Sequence, residues 1–434
     1  MGTAAVVVFL VLVFAFAATA RALGRIDVSA PMAFVAAGAL LSLPLPALDE
    51  SAREGLTILT ELTLALILFH DAAQVRPRRI AVDRGPMARL LLLGLPLTMA
   101  AGWLLGFVLF PDVPLMMLLL LTAAVAPTDA GLGAATVLNP VVPVRVRRLL
   151  NVESGLNDGL CTPFVLFAIA ALAGEEGLRP LESVWSALGD LAAGTLVGVL
   201  VGGGAGLLLG SSRNRGVSSR HTRLLAALVL PFIAYFGAEL VGGNAFVAAF
   251  VAGSAFAGRA HWAEEEETLA LTEALADPLG FAVWFAFGFT AVPVLVENVG
   301  WPEITFAVLA LTLLRMVPVA LALLGTGFRA PTVAFVGWFG PRGLASVVFT
   351  LLALEGLELD ADLTRVVATI CLTVLLSVLA HGLSADPLAR RYGAWVAQAR
   401  PTQELGGSTE PRSRRSLRQR GEHLEAGPPA DSTS

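Results

Sequence analysis

The chain has 434 residues, of which 56% are hydrophobic and 15% are charged, and its formal net charge is −5. Soluble domains carry about 25% charged residues, so this composition excludes an ordinary soluble globular protein. The apolar residues stand in long continuous runs, such as 4–20 and 115–125. A transmembrane β-barrel would instead show alternating segments of about ten residues. The composition therefore predicts a helical membrane protein.

Thirteen spans are predicted where the chain is cut at its charged and Pro/Gly-rich breaks. A bilayer core of about 30 Å needs about 20 apolar residues per helix. Counted as six, one and six, the spans form two halves of opposite orientation, the inverted-repeat arrangement of many secondary transporters. We predict an all-α polytopic fold over residues 1–395. In chain order the spans are 4–22, 28–43, 56–72, 87–110, 114–138, 146–173, 181–210, 220–241, 243–259, 271–293, 303–326, 331–355 and 362–386.

The basic residues predict how the chain is oriented. All 29 are arginine, and most of them fall on one side of the predicted spans. The positive-inside rule then places the N-terminus outside and the C-terminus in the cytoplasm, for a multi-pass protein of the cytoplasmic (inner) membrane. We expect residues 1–22 to be retained, because a signal peptide would begin with positive charge. Residues 396–434, rich in Arg, Ser, Gly, Glu and Pro, are predicted to be a disordered cytoplasmic tail.

Two spans are broken at matching places in the two halves. The fifth contains 126–131 (Ala-Pro-Thr-Asp-Ala-Gly) and the twelfth contains 338–343 (Trp-Phe-Gly-Pro-Arg-Gly). Proline removes a backbone donor and clashes with the preceding turn, so both helices should be interrupted. Unwound backbone at membrane depth is tolerated only where protein or water covers it. The two breaks therefore predict a transport site built on discontinuous helices.

Ionisable residues inside spans are costly and indicate function by default. Asp129, Asp158 and Arg342 each lie near the middle of a span. Ser154 and Asp158 are four residues apart and share a helix face, on which they could present oxygen ligands to a cation. A buried Asp158 could hold either a proton or a cation, and this competition would couple the two fluxes.

The remaining polar residues leave alternatives open. Glu153 is expected to form a structural ion pair with Arg342, although the two side chains need not meet. Asp129 could be a ligand together with Thr128, or only a helix cap at the break. Arg315, next to a proline in the eleventh span, is expected to be a structural partner of a carbonyl or an acid.

At these residues the sequence resembles the NhaP-type branch of the monovalent cation:proton antiporters, which includes the eukaryotic sodium/proton exchangers. The resemblance rests on 128–129 (Thr-Asp) followed by 157–158 (Asn-Asp), and on the segments 153–159, 337–343 and 381–389. It implies a homodimer in which a core domain slides against a dimerisation scaffold. It also implies ion contacts, with Na⁺ held chiefly by Asp158 and Asp129. The ion-site residues that it implies are Asp158, Asp129, Ser154, Thr128, Asn157 and Asp71.

The expected function is exchange of Na⁺, Li⁺ or K⁺ for H⁺ by alternating access, serving pH and cation homeostasis. Asn157 in place of a second aspartate favours electroneutral exchange. The alternatives are a K⁺/H⁺ antiporter of the same architecture and a cation channel. No P-loop and no His-Glu-x-x-His motif is present, so no enzyme activity is expected. We expect no cofactor beyond the transported ions, no nucleic acid, and contact with membrane lipid.

Overall fold

The computed structural model describes residues 3–25, 28–42, 50–75, 84–129, 132, 139–173, 180–260 and 268–406. Every regular element in these ranges is a helix. In chain order the helices are α1 (Thr3–Arg25), α2 (Ala30–Ser42), α3 (Glu50–Gln74), α4 (Arg84–Leu109), α5 (Leu115–Val125), α6 (Val144–Ala173), α7 (Pro180–Asn214), α8 (Arg220–Glu239), α9 (Ala245–Arg259), α10 (Ala270–Asn298), α11 (Trp301–Ala322), α12 (Ala330–Trp338), α13 (Leu344–Gly356), α14 (Ala361–Ala399) and α15 (Thr402–Leu405).

Eight of these helices are long and apolar enough to cross a membrane, and five shorter ones are apolar as well. Each of them overlaps a different one of the thirteen predicted spans. The predicted all-α polytopic fold is therefore confirmed. Many leucine and valine side chains on α4, α7 and α8 are exposed, as expected for helix faces that contact lipid tails.

The two predicted breaks are present and contact each other. In the fifth span α5 ends at Val125, and the backbone that follows is not helical through Asp129. In the twelfth span α12 ends at Trp338 and α13 begins at Leu344. The backbone nitrogen of Asp129 donates a hydrogen bond of 2.8 Å to the carbonyl oxygen of Pro341. Residues 130, 131 and 133–138 of the fifth span, including the end of the predicted break, lie outside the described residues.

Small residues bring α9 close to the helices on both of its sides. A Cβ atom on Gly202 of α7 would lie 2.0 Å from the carbonyl oxygen of Ala252. A Cβ on Gly253 would lie 2.2 Å from the carbonyl oxygen of Phe69 on α3. Only glycine permits such backbone approach, which is a common packing device between membrane helices. This packing fixes α3, which carries Asp71, against the rest of the bundle.

The predicted boundary between the membrane domain and the disordered tail, at residues 395 and 396, lies too early in the chain. Helix α14 continues to Ala399, and α15 follows directly. Glu404 of α15 is 1% exposed, and it accepts hydrogen bonds from the backbone nitrogen of Arg329 (2.9 Å) and from Thr332 Oγ1 (2.7 Å). Residues 396–406 are therefore packed against the domain and not disordered. The rest of the predicted tail, 407–434, lies outside the described residues.

Candidate ion-binding site

A small cavity of about 20 Å³ lies where the two breaks meet α3 and α6. A water molecule needs roughly 10–15 Å³ by this measure, so the cavity has room for one water-sized occupant. Three of its lining residues are aspartates and two carry hydroxyl groups. The lining residues are Ile67, Asp71, Gln74, Thr128, Asp129, Asn151, Ser154, Gly155, Asp158 and Leu344.

Helix α6 brings Asp158 and Ser154 to the cavity wall. Their spacing of one helical turn places them on the same face, as the sequence indicates. Asp158 is 8% exposed, and its backbone carbonyl accepts a hydrogen bond of 2.8 Å from Thr162 Oγ1. Its carboxylate therefore reaches the cavity from a helix that continues unbroken through this point.

Asp71 reaches the same cavity from α3. It packs on Gly155 of α6, where an added Cβ would lie 3.3 Å from the Cβ of Asp71. That spacing is tighter than ordinary van der Waals contact, so glycine at this position keeps α3 close to α6. The structure thus places the third predicted aspartate beside Asp158.

Asp129 lines the cavity and also caps a helix of the opposite half. Its Oδ2 accepts a hydrogen bond of 3.0 Å from the backbone nitrogen of Leu344, the first residue of α13. A carboxylate at a helix N-terminus satisfies an otherwise unpaired N–H and is favoured by the helix dipole. Gly343 makes this approach possible, since a Cβ there would lie 2.1 Å from the Cβ of Asp129. Asp129 therefore both caps α13 and forms part of the cavity wall.

Arg342 makes the corresponding contact in the opposite direction, from the twelfth span to the end of the helix in the fifth. Its Nη1 donates hydrogen bonds to the carbonyl oxygens of Ala126 (2.7 Å) and Pro127 (3.3 Å), just beyond the end of α5. Its Nη2 donates to the carbonyl oxygen of Ala310, at 3.1 Å. A cation at a helix C-terminus is favoured by the dipole and satisfies carbonyls that the broken helix leaves unpaired. Each break therefore supplies the charge that the other half's helix end requires.

The predicted ion pair between Glu153 and Arg342 is wrong. The partner of Glu153 is Arg315 of α11, with Nη1 and Oε1 2.6 Å apart and both side chains at most 3% exposed. Arg342 faces backbone carbonyls instead. Gly340 leaves the space that Arg315 occupies, because a Cβ there would lie 2.6 Å from the Nε of Arg315. The expectation that Arg315 is the structural partner of an acid agrees with this contact.

Asn157, predicted as an ion ligand, lies behind the cavity wall and holds Thr128. Its Nδ2 donates to Thr128 Oγ1 at 2.7 Å, and its Oδ1 accepts from the Thr128 backbone nitrogen at 3.2 Å. Ser154 Oγ donates to the Thr128 carbonyl oxygen at 2.5 Å. Two residues of α6 thus fix the unwound backbone of the fifth span, because its own helical hydrogen bonds are missing there.

Two lining residues, Asn151 and Gln74, were missed by sequence reasoning. Asn151 lies seven residues before Asp158, and so on the same face of α6. Gln74 lies one turn after His70 and hydrogen-bonds to that ring. Among the described residues, no three acidic, histidine or cysteine side chains are grouped closely enough to hold a metal ion. A cation in this arrangement would need hydroxyl, amide or carbonyl oxygens beside one or two carboxylates.

Two broken spans that cross beside buried carboxylates in a helical membrane bundle are the arrangement of many secondary transporters. Residues 8–391 match the sequence profile of the sodium/hydrogen exchanger transmembrane family, and the chain belongs to that family. The predicted resemblance to NhaP-type antiporters is confirmed.

Three proteins illustrate the relationship. The K⁺/H⁺ antiporter NhaP of Alkalimonas amylolytica is 27% identical over 342 residues, which cover 77% of this chain and 57% of that protein. A Na⁺/H⁺ antiporter of Schizosaccharomyces pombe is 27% identical over 323 residues, covering 66% of this chain and 68% of its own. The solved structure of the sodium proton antiporter MjNhaP1 from Methanocaldococcus jannaschii matches with a TM-score of 0.71 at 18% identity, covering 90% of this chain and 98% of that one. The chain spans little more than half the length of the first of these relatives.

Proposed function

We propose that the protein is a secondary-active antiporter that exchanges Na⁺, or its congeners Li⁺ and K⁺, for H⁺ by alternating access. The observation that carries this proposal is a cavity of about 20 Å³ lined by Asp71, Asp129 and Asp158 at the crossing of two broken spans. A buried carboxylate is costly in a bilayer, and it is retained where an ion or a proton must bind.

Competition at Asp158 would provide the coupling. The carboxylate binds either a proton or a cation, because the same oxygens hold both, and the binding of one excludes the other. Thr128 and Ser154 would add neutral oxygens to the cation. Apart from protonation and deprotonation of the carboxylate, the exchange makes and breaks no covalent bond in the protein, so it needs neither a cofactor nor an enzymatic residue; the ions are cargo. Asn157 carries no titratable proton, which favours exchange of one cation for one proton.

The proposal also covers assembly and orientation. A homodimer, with the crossed-helix core moving against a scaffold, follows from the family resemblance. The arginine distribution supports an outer N-terminus and a cytoplasmic C-terminus in the cytoplasmic membrane. In that orientation an inward proton gradient would drive cation export, for pH and cation homeostasis.

A K⁺/H⁺ antiporter is the second candidate. The observation in its favour is that the relatives include proteins named as K⁺/H⁺ antiporters beside others named as Na⁺/H⁺ antiporters. The cavity alone does not separate the two ions, because carboxylate and hydroxyl oxygens bind both.

The test is proton movement in reconstituted vesicles that contain a pH-sensitive dye. We expect NaCl to dissipate an imposed proton gradient with the wild-type protein, and parallel additions of KCl rank the two cations. Asp158→Asn should show only the background of protein-free vesicles. Asp112→Asn, an exposed loop carboxylate, is the matched control and should behave as wild type. Normal exchange by Asp158→Asn at equal incorporation would contradict the proposed site.

A further inference from the structure

A second and larger cavity, of about 430 Å³, opens as a groove between α11, α12 and α14. It shares no residue with the ion-site cavity. Among the described residues that line it, the wall is almost wholly apolar and contains five aromatic rings and one charged residue, Arg391. The lining residues are Met316, Pro331, Ala334, Phe335, Trp338, Phe339, Leu388, Arg391, Tyr392 and Trp395.

The aromatic rings form a continuous wall. Phe335 stacks on Tyr392 with ring centroids 4.2 Å apart and contacts Phe339 at 4.6 Å. Tyr392 stacks on Trp395 at 5.6 Å. Rings that are packed on one another form a groove that persists without a ligand, and its volume lies within the roughly 300–1,000 Å³ of small-molecule sites.

The groove extends along α12 from its first turn to the break that follows it. From Pro331 to Phe339 is eight residues of α12 and its cap, about 12 Å at 1.5 Å per residue. One half of a 30 Å hydrocarbon core is about 15 Å, so the groove spans a single leaflet. Its inner end, Phe339, is the first residue of the break between α12 and α13. At its outer end, Trp395 is partly exposed and is of the residue type found in interfacial aromatic belts.

The arginine at the outer end of the groove indicates the chemical class of its ligand. Arg391 is exposed and, within the described residues, has no ion-pair partner, whereas its neighbour Arg390 is paired with Asp386 at 2.7 Å. The same end of the molecule carries Arg145, whose Nη1 donates to the Gln403 carbonyl oxygen at 2.6 Å. Guanidinium groups at the membrane surface bind phosphate oxygens and attract anionic lipid.

We propose that this groove is a binding site for one anionic phospholipid of the arginine-rich leaflet. The phosphate would contact Arg391, and an acyl chain would lie on the aromatic wall as far as Phe339. Because α12 ends at the groove's inner end, a bound chain would stabilise the half-helix that carries the break. The proposal uses no residue of the ion site and stands independently of the transported ion.

The experiment uses the full-length protein in phosphatidylcholine vesicles that contain a small fraction of phosphatidylglycerol with a photoactivatable acyl chain. After illumination, labelled peptides are mapped by mass spectrometry. We expect label on the groove residues at several times the level on the exposed face around Leu383. Ala334→Trp should fill the groove and remove this label, whereas Leu383→Trp, on an exposed face of α14, should not.

Arg391→Gln tests the headgroup contact. One arginine near a membrane surface is worth about 1 kcal/mol, so labelling by phosphatidylglycerol should fall about fivefold, a larger factor than for the matching phosphatidylcholine probe, whose headgroup carries no net charge. Arg390→Gln is the matched control. Groove labelling no higher than that around Leu383, or unchanged in Ala334→Trp, overturns the proposal. Labelling that appears only after a protease removes residues 407–434 would make that segment the occupant and overturns it too.

Discussion

Asp129 caps α13, a helix of the opposite half of the fold: its Oδ2 accepts a hydrogen bond of 3.0 Å from the backbone nitrogen of Leu344. The two residues belong to the fifth and twelfth spans, and Arg342 returns the contact by binding the carbonyls that follow α5. Each broken span thus has a helix end that is capped by a charged residue from the other broken span. Movement of one break without the other would expose unpaired backbone groups in the membrane, so we infer that the two breaks move as one body.

Because Asp129 acts as a helix cap, substitutions can separate the effect of its charge from the effect of its hydrogen bond. Asp129→Asn keeps an oxygen that can accept from Leu344, whereas Asp129→Ala removes it. We expect the asparagine variant to melt near the wild-type temperature and the alanine variant to lose about 1 kcal/mol, the usual value of a helix cap. Both should lose cation-driven exchange. Thermal unfolding in detergent measures the first effect, and equal melting temperatures of the two variants would refute the capping role.

A substitution at Gly343 should change the distance between the two breaks. A Cβ at this position would lie 2.1 Å from Asp129 Oδ2, so Gly343→Ala must push the two breaks apart. Displacement of a binding group by about 1 Å can cost on the order of a hundredfold in rate, and we expect a loss of exchange of that size. Gly204→Ala is the control, since no atom lies within 4 Å of its added Cβ. If Gly343→Ala exchanges ions at the wild-type rate, the crossing is not needed for transport.

The pair Glu153–Arg315 predicts a change in stability. Removal of one partner from a buried ion pair leaves a lone charge and costs about 3–5 kcal/mol, so Arg315→Gln should lower both yield and melting temperature. Arg390→Gln, from an exposed pair worth about 0–1 kcal/mol, is the control. The double variant Glu153→Gln, Arg315→Met should be more stable than Arg315→Gln alone. Additive losses in the double variant would argue against the pair.

The spans, Asp129 and Asp158 could be predicted from sequence because each leaves a local signal, whereas Asp71 came only from the family resemblance. Long apolar runs mark the spans, Pro/Gly clusters mark the breaks, and a charge within a run marks the cavity. The spacing of Ser154 and Asp158 was enough to place both on one face. Asn151 lies on that face by the same rule, so the spacing along α6 also predicts its place at the cavity.

The partner of Glu153 could not be predicted in this way. Arg315 and Arg342 both lie inside spans, and helical spacing says which residues share a face but not which distant helix opposes it. The choice depends on the carbonyls beyond α5, which bind Arg342 and leave Arg315 for Glu153. The tail boundary was misplaced for a related reason, because Glu404 is polar in sequence and is buried only through its contacts with Arg329 and Thr332.

The most direct test of the account is the pH dependence of exchange in reconstituted vesicles, measured as the apparent KM for the cation. If protons and cations compete for Asp158, lowering the pH must raise the apparent KM, approaching tenfold per pH unit once the carboxylate is mostly protonated, while the maximal rate at saturating cation stays constant. An apparent KM that is independent of pH, with a maximal rate that falls as protons are added, would contradict a shared site.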